Sequence, residues 1–231
     1  MADLDGDGNL DLVNGRYSPA IVYWFRGLGT GKDFGPRAVL FDDSEASGSG
    51  PGGKYSMATA NCADLDGDGD LDLILGDTRG TVSWVQNEGT AKQPKFTRRE
   101  PLLVGRDPMK VSHKSDPIAV DWDGDGRLDV LVGDEVGDVS FFAGLPDRTF
   151  AAGVSLFSRL PVDPKDTYGT AKQKLAPHRA VPGYRLRLCT ADWNDDGKLD
   201  LLVGNCETKP AADGDEQGGE VVGHVFVLLR Q

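Results

Sequence analysis

Four stretches of the chain place carboxylates at alternate positions: DLDGDGNLDLVNG from Asp3, DLDGDGDLDLILG from Asp64, DWDGDGRLDVLVG from Asp121 and DWNDDGKLDLLVG from Asp192. Each is a nine-residue loop with side-chain oxygens at positions one, three, five and nine, and a backbone carbonyl at position seven as a further donor. The first set is Asp3, Asp5, Asp7, Asn9 and Asp11, and the second is Asp64, Asp66, Asp68, Asp70 and Asp72. The third is Asp121, Asp123, Asp125, Arg127 and Asp129, and the fourth is Asp192, Asn194, Asp196, Lys198 and Asp200. Such a loop wraps a hard cation, and calcium takes about 6–8 oxygens at roughly 2.3–2.6 Å. Glycine at position six (Gly8, Gly69, Gly126, Gly197) permits the sharp turn around an ion. Leucine at position eight (Leu10, Leu71, Leu128, Leu199) is expected to point away from the ion and pin the loop to the core. Up to four calcium sites are expected, the weakest in the fourth loop, where Asn194 replaces an acid.

Rival readings of these loops fail on particular residues. An EF-hand needs twelve loop residues ending in Glu, flanked by helices; here strand-like sequence flanks nine. Zinc would want His or Cys, and no loop contains either. Magnesium shares the preference for oxygen but seldom uses an all-protein cage, so it stands second. The formal net charge of −12 makes nucleic acid a poor partner. Four divalent cations would bring that charge to about −4.

The elements that position these loops follow from the repeat. Loop starts at 3, 64, 121 and 192 set a period near sixty residues, the mark of a repeat architecture. After each loop comes a short apolar run suited to a buried strand (LDLV, LDLILG, LDVLVG, LDLLVG), here called strand B. An alternating, aromatic-rich strand C follows (AIVYWF, GTVSWV, GDVSFF, GHVFVLL), then a strand D (DFGPRAVLF, PKFTRREPLLV, RTFAAGVSLF). A strand A (YSMATANCA, SDPIAV, YRLRLCTA) leads into the next loop. Thirty-one glycines and thirteen prolines supply turns, and no helical period is sustained. The fold class is all-β: a β-propeller or partial propeller of four blades, each a four-stranded antiparallel meander. The repeats run 2–62, 63–119, 120–190 and 191–231. The first blade lacks strand A and the last lacks strand D, so completion of the ring by further blades or another chain is expected.

The four acidic loops and their following strands resemble the FG-GAP/VCBS repeats of β-propellers, which include the head of integrin α-subunits. The resemblance implies calcium in the hairpin between strands A and B of each blade, on one face of the propeller. It also implies a secreted or cell-surface setting and a role in adhesion or in recognising protein or carbohydrate. Of the family's name-giving element only Phe34-Gly35 is visible, and the ring is smaller than the family's usual seven or more blades. No secretory signal is legible in the opening MADLDGDG, and the chain is expected to be a fragment.

Other constellations weigh less. GSGPGGKY from Gly48 imitates a phosphate-binding loop, but Tyr55 stands where Ser or Thr is required. From Ser158 through Arg187 seven Lys or Arg face two Asp, and this long connection is expected on the face opposite the acidic loops. Tyr168, His178, Arg179 and Arg185 are the candidates there for binding an anionic sugar. The same residues support an alternative, a carbohydrate-active enzyme such as a polysaccharide lyase. Catalysis is otherwise thinly supported: no G-x-S-x-G occurs, and His113 near Ser115 and Asp116 is a neighbourhood rather than a triad. Cys62, Cys189 and Cys206 are too few for a disulfide framework, and Cys62 and Cys189 read as buried strand residues. No apolar run is long enough to span a bilayer as a helix.

Overall fold

The computed structural model describes residues 1–17, 19–43, 59–157, 184–208 and 221–230, and among them every regular element is a strand. Four antiparallel sheets follow one another along the chain. The first joins β1 (Leu12–Gly15), β2 (Ile21–Phe25) and β3 (Ala38–Asp42). The second joins β4 (Thr59–Ala63), β5 (Asp72–Gly76), β6 (Val82–Asn87) and β7 (Phe96–Pro101). A two-stranded hairpin, β8 (Leu103–Val104) with β9 (Asp107–Pro108), leads to the third sheet. That sheet joins β10 (Asp116–Val120), β11 (Asp129–Gly133), β12 (Val139–Phe142) and β13 (Val154–Phe157). The fourth joins β14 (Tyr184–Ala191), β15 (Asp200–Thr208) and β16 (Val221–Leu228). The chain is an all-β partial propeller, its described blades carrying three, four, four and three strands.

Alternation on strand B explains how the blades stack. In a strand successive side chains point to opposite faces. Leu73 and Leu75 of β5 enter a core with Val22 and Phe41 of the first blade, while Ile74 between them enters the core shared with the third. One blade on, Val130 and Val132 face back to the second blade and Leu131 faces forward to the fourth. Leu201 and Val203 of β15 complete that third core with Ile118 and Leu186. Strands β5 and β11 are buried along their whole length. Each such Leu, Ile or Val removed from water contributes roughly 1.5–3 kcal/mol, so the interfaces between sheets are the hydrophobic core.

Near the inner edge the blades also meet through backbone. Asn61 Nδ2 of β4 donates to the Pro117 carbonyl at 2.8 Å, and Thr59 Oγ1 to the Ser115 carbonyl at 2.9 Å. A Cβ at Gly76 would lie 2.0 Å from that same Ser115 oxygen, so only glycine lets the two blades close to this distance. The Leu188 N–H of β14 donates to the Asp116 carboxylate of β10 at 2.8 Å.

Three expectations need correction. The stretch PKFTRREPLLV is not one strand: β7 ends at Pro101, and the β8–β9 hairpin folds over the core between blades two and three, burying Leu102 and Met109. Leu10 does not pin its loop; it is exposed, whereas its counterpart Leu71 packs against the core shared with the preceding blade. Among the described residues Leu10 meets no such core. Cys189 is exposed rather than buried, because no described strand covers the forward face of the fourth blade. Cys62 is half-buried, and desolvation pushes its thiol up to about 12.

Leu131 and Leu202 occupy the same place in the repeat, but Leu131 is sealed between blades and Leu202 is only half-buried. Leu131→Ala is expected to cost about 2–5 kcal/mol in denaturant unfolding, and Leu202→Ala less than half as much. Equal costs would mean that the alternation does not govern stability.

Candidate metal centres

Each acidic loop is folded by its own first aspartate. Asp64 accepts hydrogen bonds from the N–H groups of Gly67, Asp68 and Gly69 at 2.7, 3.1 and 3.0 Å. Asp121 does the same for Gly124, Asp125 and Gly126, Asp3 for Asp7 and Gly8, and Asp192 for Asp196 and Gly197. The turn needs a left-handed residue at position six, and Gly8, Gly69, Gly126 and Gly197 have φ of +88°, +94°, +87° and +83°. Position five then accepts from position seven: the N–H groups of Asn9, Asp70, Arg127 and Lys198 donate to Asp7, Asp68, Asp125 and Asp196 at 2.8–3.0 Å. These backbone donors hold the Asp7 and Asp196 carboxyls below the usual range.

The ninth residue has a role that the spacing alone did not assign. Asp11, Asp72, Asp129 and Asp200 are all buried, at 0–1% exposure. One carboxylate oxygen of Asp72 accepts from Leu65 N–H in its own loop at 3.0 Å, and the other from Asn87 N–H at the end of strand C at 2.7 Å. Asp11 ties Leu4 to Gly27, Asp129 ties Trp122 to Gly144, and Asp200 ties Trp193 to Arg230 in the same way. A Cβ at Gly27 or Gly144 would lie 2.4 or 2.3 Å from the carbonyl oxygen at position eight, so these staples work at close range. Desolvation pushes the Asp72 carboxyl up to about 6 against the pull of its two N–H donors.

Carboxylates from positions one, three and nine converge in three loops. Asp3, Asp5 and Asp11 bring one oxygen each within 4.8 Å of one another, and so do Asp64, Asp66 and Asp72, and Asp121, Asp123 and Asp129. This all-oxygen donor set fits a hard divalent cation. Asp5 Oδ1 is in addition buried with no hydrogen-bond partner, an orphaned acceptor of the kind an ion satisfies. Burial raises the Asp5 carboxyl, and the Arg26 guanidinium opposes it. Asp70 is raised by burial and by its neighbours Asp68 and Asp66, as expected where like charges gather.

The loops differ in what else reaches them. Arg26 pairs with Asp5 at 2.6 Å and Asp7 at 2.9 Å, so a guanidinium already shares the first loop. Gln86, at the equivalent position of the second blade, donates only a neutral amide to Asp66 at 2.6 Å. In the third loop Arg127 pairs with Asp125 and donates to the Gly144 carbonyl. The fourth loop departs most. Asn194 donates to Asp196 at 3.1 Å, no three-acid group forms there among the described residues, and Asp195 takes the left-handed φ of +59° that glycine holds elsewhere.

Residues 64–132 match a family model described as FG-GAP-like repeat. The matched residues run from the acidic loop of the second blade into β11 of the third. No curated protein matches the chain. A solved structure similar to it is that of an Agrocybe aegerita lectin, described as the basis of specific recognition of non-reducing terminal N-acetylglucosamine. The similarity covers 99% of this chain and 56% of the lectin chain, at 20% identity and a TM-score of 0.49. This chain thus spans about half of that chain's length. Within the matched residues lie two of the three convergent acid groups, and both blades are four-stranded.

Of the residues expected to bind an anionic sugar, only Arg185 lies among the described residues. Tyr168, His178 and Arg179 lie outside the described residues. Arg185 pairs with Glu135 at 3.3 Å and lies over the Tyr184 ring. GSGPGGKY also lies outside them. Ser115, beside His113, is buried and donates to the Thr81 carbonyl at 2.8 Å, which commits it to the fold.

The fourth loop separates stapling from cation binding. Asp200→Ala is expected to destabilise the chain by about 1–3 kcal/mol with chelator present, because the Trp193 and Arg230 N–H groups lose a charged acceptor. Thermal unfolding of wild type and variant in EGTA checks this; an unchanged midpoint would mean that the buried carboxylate is dispensable.

Proposed function

We propose that the chain is a calcium-held β-propeller segment serving as a binding module outside the cell. The observation that carries this reading is the convergence of three carboxylates in each of three loops. When bound, calcium supplies charge neutralisation and a fixed set of oxygen ligands. The chain's own residues do the rest. Asp64 and Asp121 shape the turns, Asp66 and Asp123 complete the acid groups, and Asp72 and Asp129 tie each loop to strand C. The carbonyls of Asn9, Asp70 and Arg127 are further donors in the same loops.

Asp192, Asn194, Asp196, Lys198 and Asp200 make the weakest of the four sites, since the Asn194 amide already engages Asp196. Extracellular calcium-binding modules work at about 10⁻⁴–10⁻³ M, which suits loops this exposed. Support for recognition as the task comes from the FG-GAP-like repeat and from the lectin's described sugar recognition, with a protein or carbohydrate ligand in view.

Calorimetric titration with calcium chloride is expected to show two to three sites, and calcium at a hundredfold over Kd should stabilise by about 2.7 kcal/mol per site. Asp66→Asn with Asp68→Asn should remove one site. A melting temperature indifferent to both calcium and EGTA would overturn the reading.

A further inference from the structure

One position of the repeat sorts the acidic loops by charge. The residue leaving strand C donates its N–H to the buried ninth aspartate: Gly27 to Asp11, Asn87 to Asp72, Gly144 to Asp129 and Arg230 to Asp200. The residue just before it is Arg26, Gln86, Ala143 or Leu229 in the four blades. Only in the first blade is this residue a cation. Its backbone is fixed on both sides, by the Gly27 N–H on Asp11 at 2.7 Å and by the Gly35 N–H donating to the Arg26 carbonyl at 2.7 Å. The fold thus sets the stem of Arg26 beside the first loop.

The contacts it makes there are those of a counter-ion. Nε lies 2.6 Å from Asp5 and Nη2 lies 2.9 Å from Asp7, so positions three and five share one guanidinium. Asp5 is one of the three convergent carboxylates of this loop and is only 7% exposed. Gln86 reaches the matching carboxylate, Asp66, with an amide that carries no charge. Arg127 of the third loop engages Asp125, which is not among the three acids that converge there. A planar guanidinium donates to a carboxylate along one edge and cannot gather about six to eight oxygens as calcium does. Asp5 shows the shortfall: Oδ2 faces Arg26, while Oδ1 is buried with no hydrogen-bond partner. Arg26 therefore neutralises the first loop in part without completing it.

We propose that Arg26 is a built-in counter-ion, which holds the first loop together when calcium is scarce and makes that loop fill after the second. The inference rests on the reading of the acidic loops as calcium sites and adds the order in which they respond. To take up a divalent ion, the first loop must give up two charge-assisted contacts with a cation, and the second loop has none of that kind to lose. The Arg26 side chain is 54% exposed, so water screens part of that loss, and the penalty is about tenfold in affinity. The chain then answers calcium in two steps, with the second blade ahead of the first.

Calcium titration of the isotope-labelled full chain tests this, followed by NMR at the Gly8 and Gly69 amides that mark position six of the two loops. Gly69 is expected to reach its midpoint at about tenfold less calcium than Gly8. Arg26→Gln copies the second blade and should bring the two midpoints within about twofold of each other. Gln86→Arg copies the first blade and should raise the Gly69 midpoint about tenfold. With EGTA present, Arg26→Gln should also lower the melting temperature, and excess calcium should restore it. Coincident midpoints in wild type, midpoints that neither variant moves, or an unchanged melt in EGTA would overturn the inference and leave the calcium reading standing. A chain in which neither amide responds to calcium would overturn both.

Discussion

A buried carboxylate accepting two backbone N–H groups is the contact from which each blade is built. Asp11, Asp72, Asp129 and Asp200 each join the start of an acidic loop to the residue leaving strand C, so one side chain fixes the two ends of a hairpin and its neighbour. A carboxylate makes a stronger hydrogen-bond acceptor than a neutral group, but its burial costs desolvation, which shows in the raised Asp72. Placing that charge beside two more carboxylates adds repulsion. The hairpin therefore carries an electrostatic load in three loops, and a divalent cation is the economical way to remove it.

The rest of the architecture follows from what these hairpins launch. Each loop ends directly in strand B, whose alternate residues serve two different interfaces, so a blade has no core of its own and shares one with each neighbour. Leu131 facing forward and Val130 with Val132 facing back illustrate the division. The terminal blades show its consequence. Val221 and Val225 on the fourth, and Leu10 and Val39 on the first, stay exposed, while no large hydrophobic of the second blade is found exposed among the described residues.

Much of this was legible in the sequence because the repeat states it four times. The acidic spacing fixed loop positions, glycine at position six marked the left-handed turn, and the LDLILG pattern marked a strand buried on both faces. What the spacing did not reveal was division of labour within a loop. Asp64 and Asp72 look alike in sequence, yet one shapes a turn in the open and the other staples two strands in the interior. The partner that separates them, the N–H of Asn87, lies fifteen residues from Asp72 and carries no side-chain signature. The β8–β9 hairpin escaped for a related reason: Leu102 and Met109 find burial only in a core made with the next blade. Arg26 in the first loop was likewise invisible until strand C was paired with strand B.

The central claim is that calcium acts by stabilising the hairpins that the buried aspartates close, and does so in three loops far more than in the fourth. Amide hydrogen exchange, followed residue by residue with and without calcium, tests this most directly. The account predicts that calcium slows exchange at the N–H groups of Gly27, Asn87 and Gly144 and leaves that of Arg230 nearly unchanged. Equal slowing at all four positions, or none at any, would contradict it.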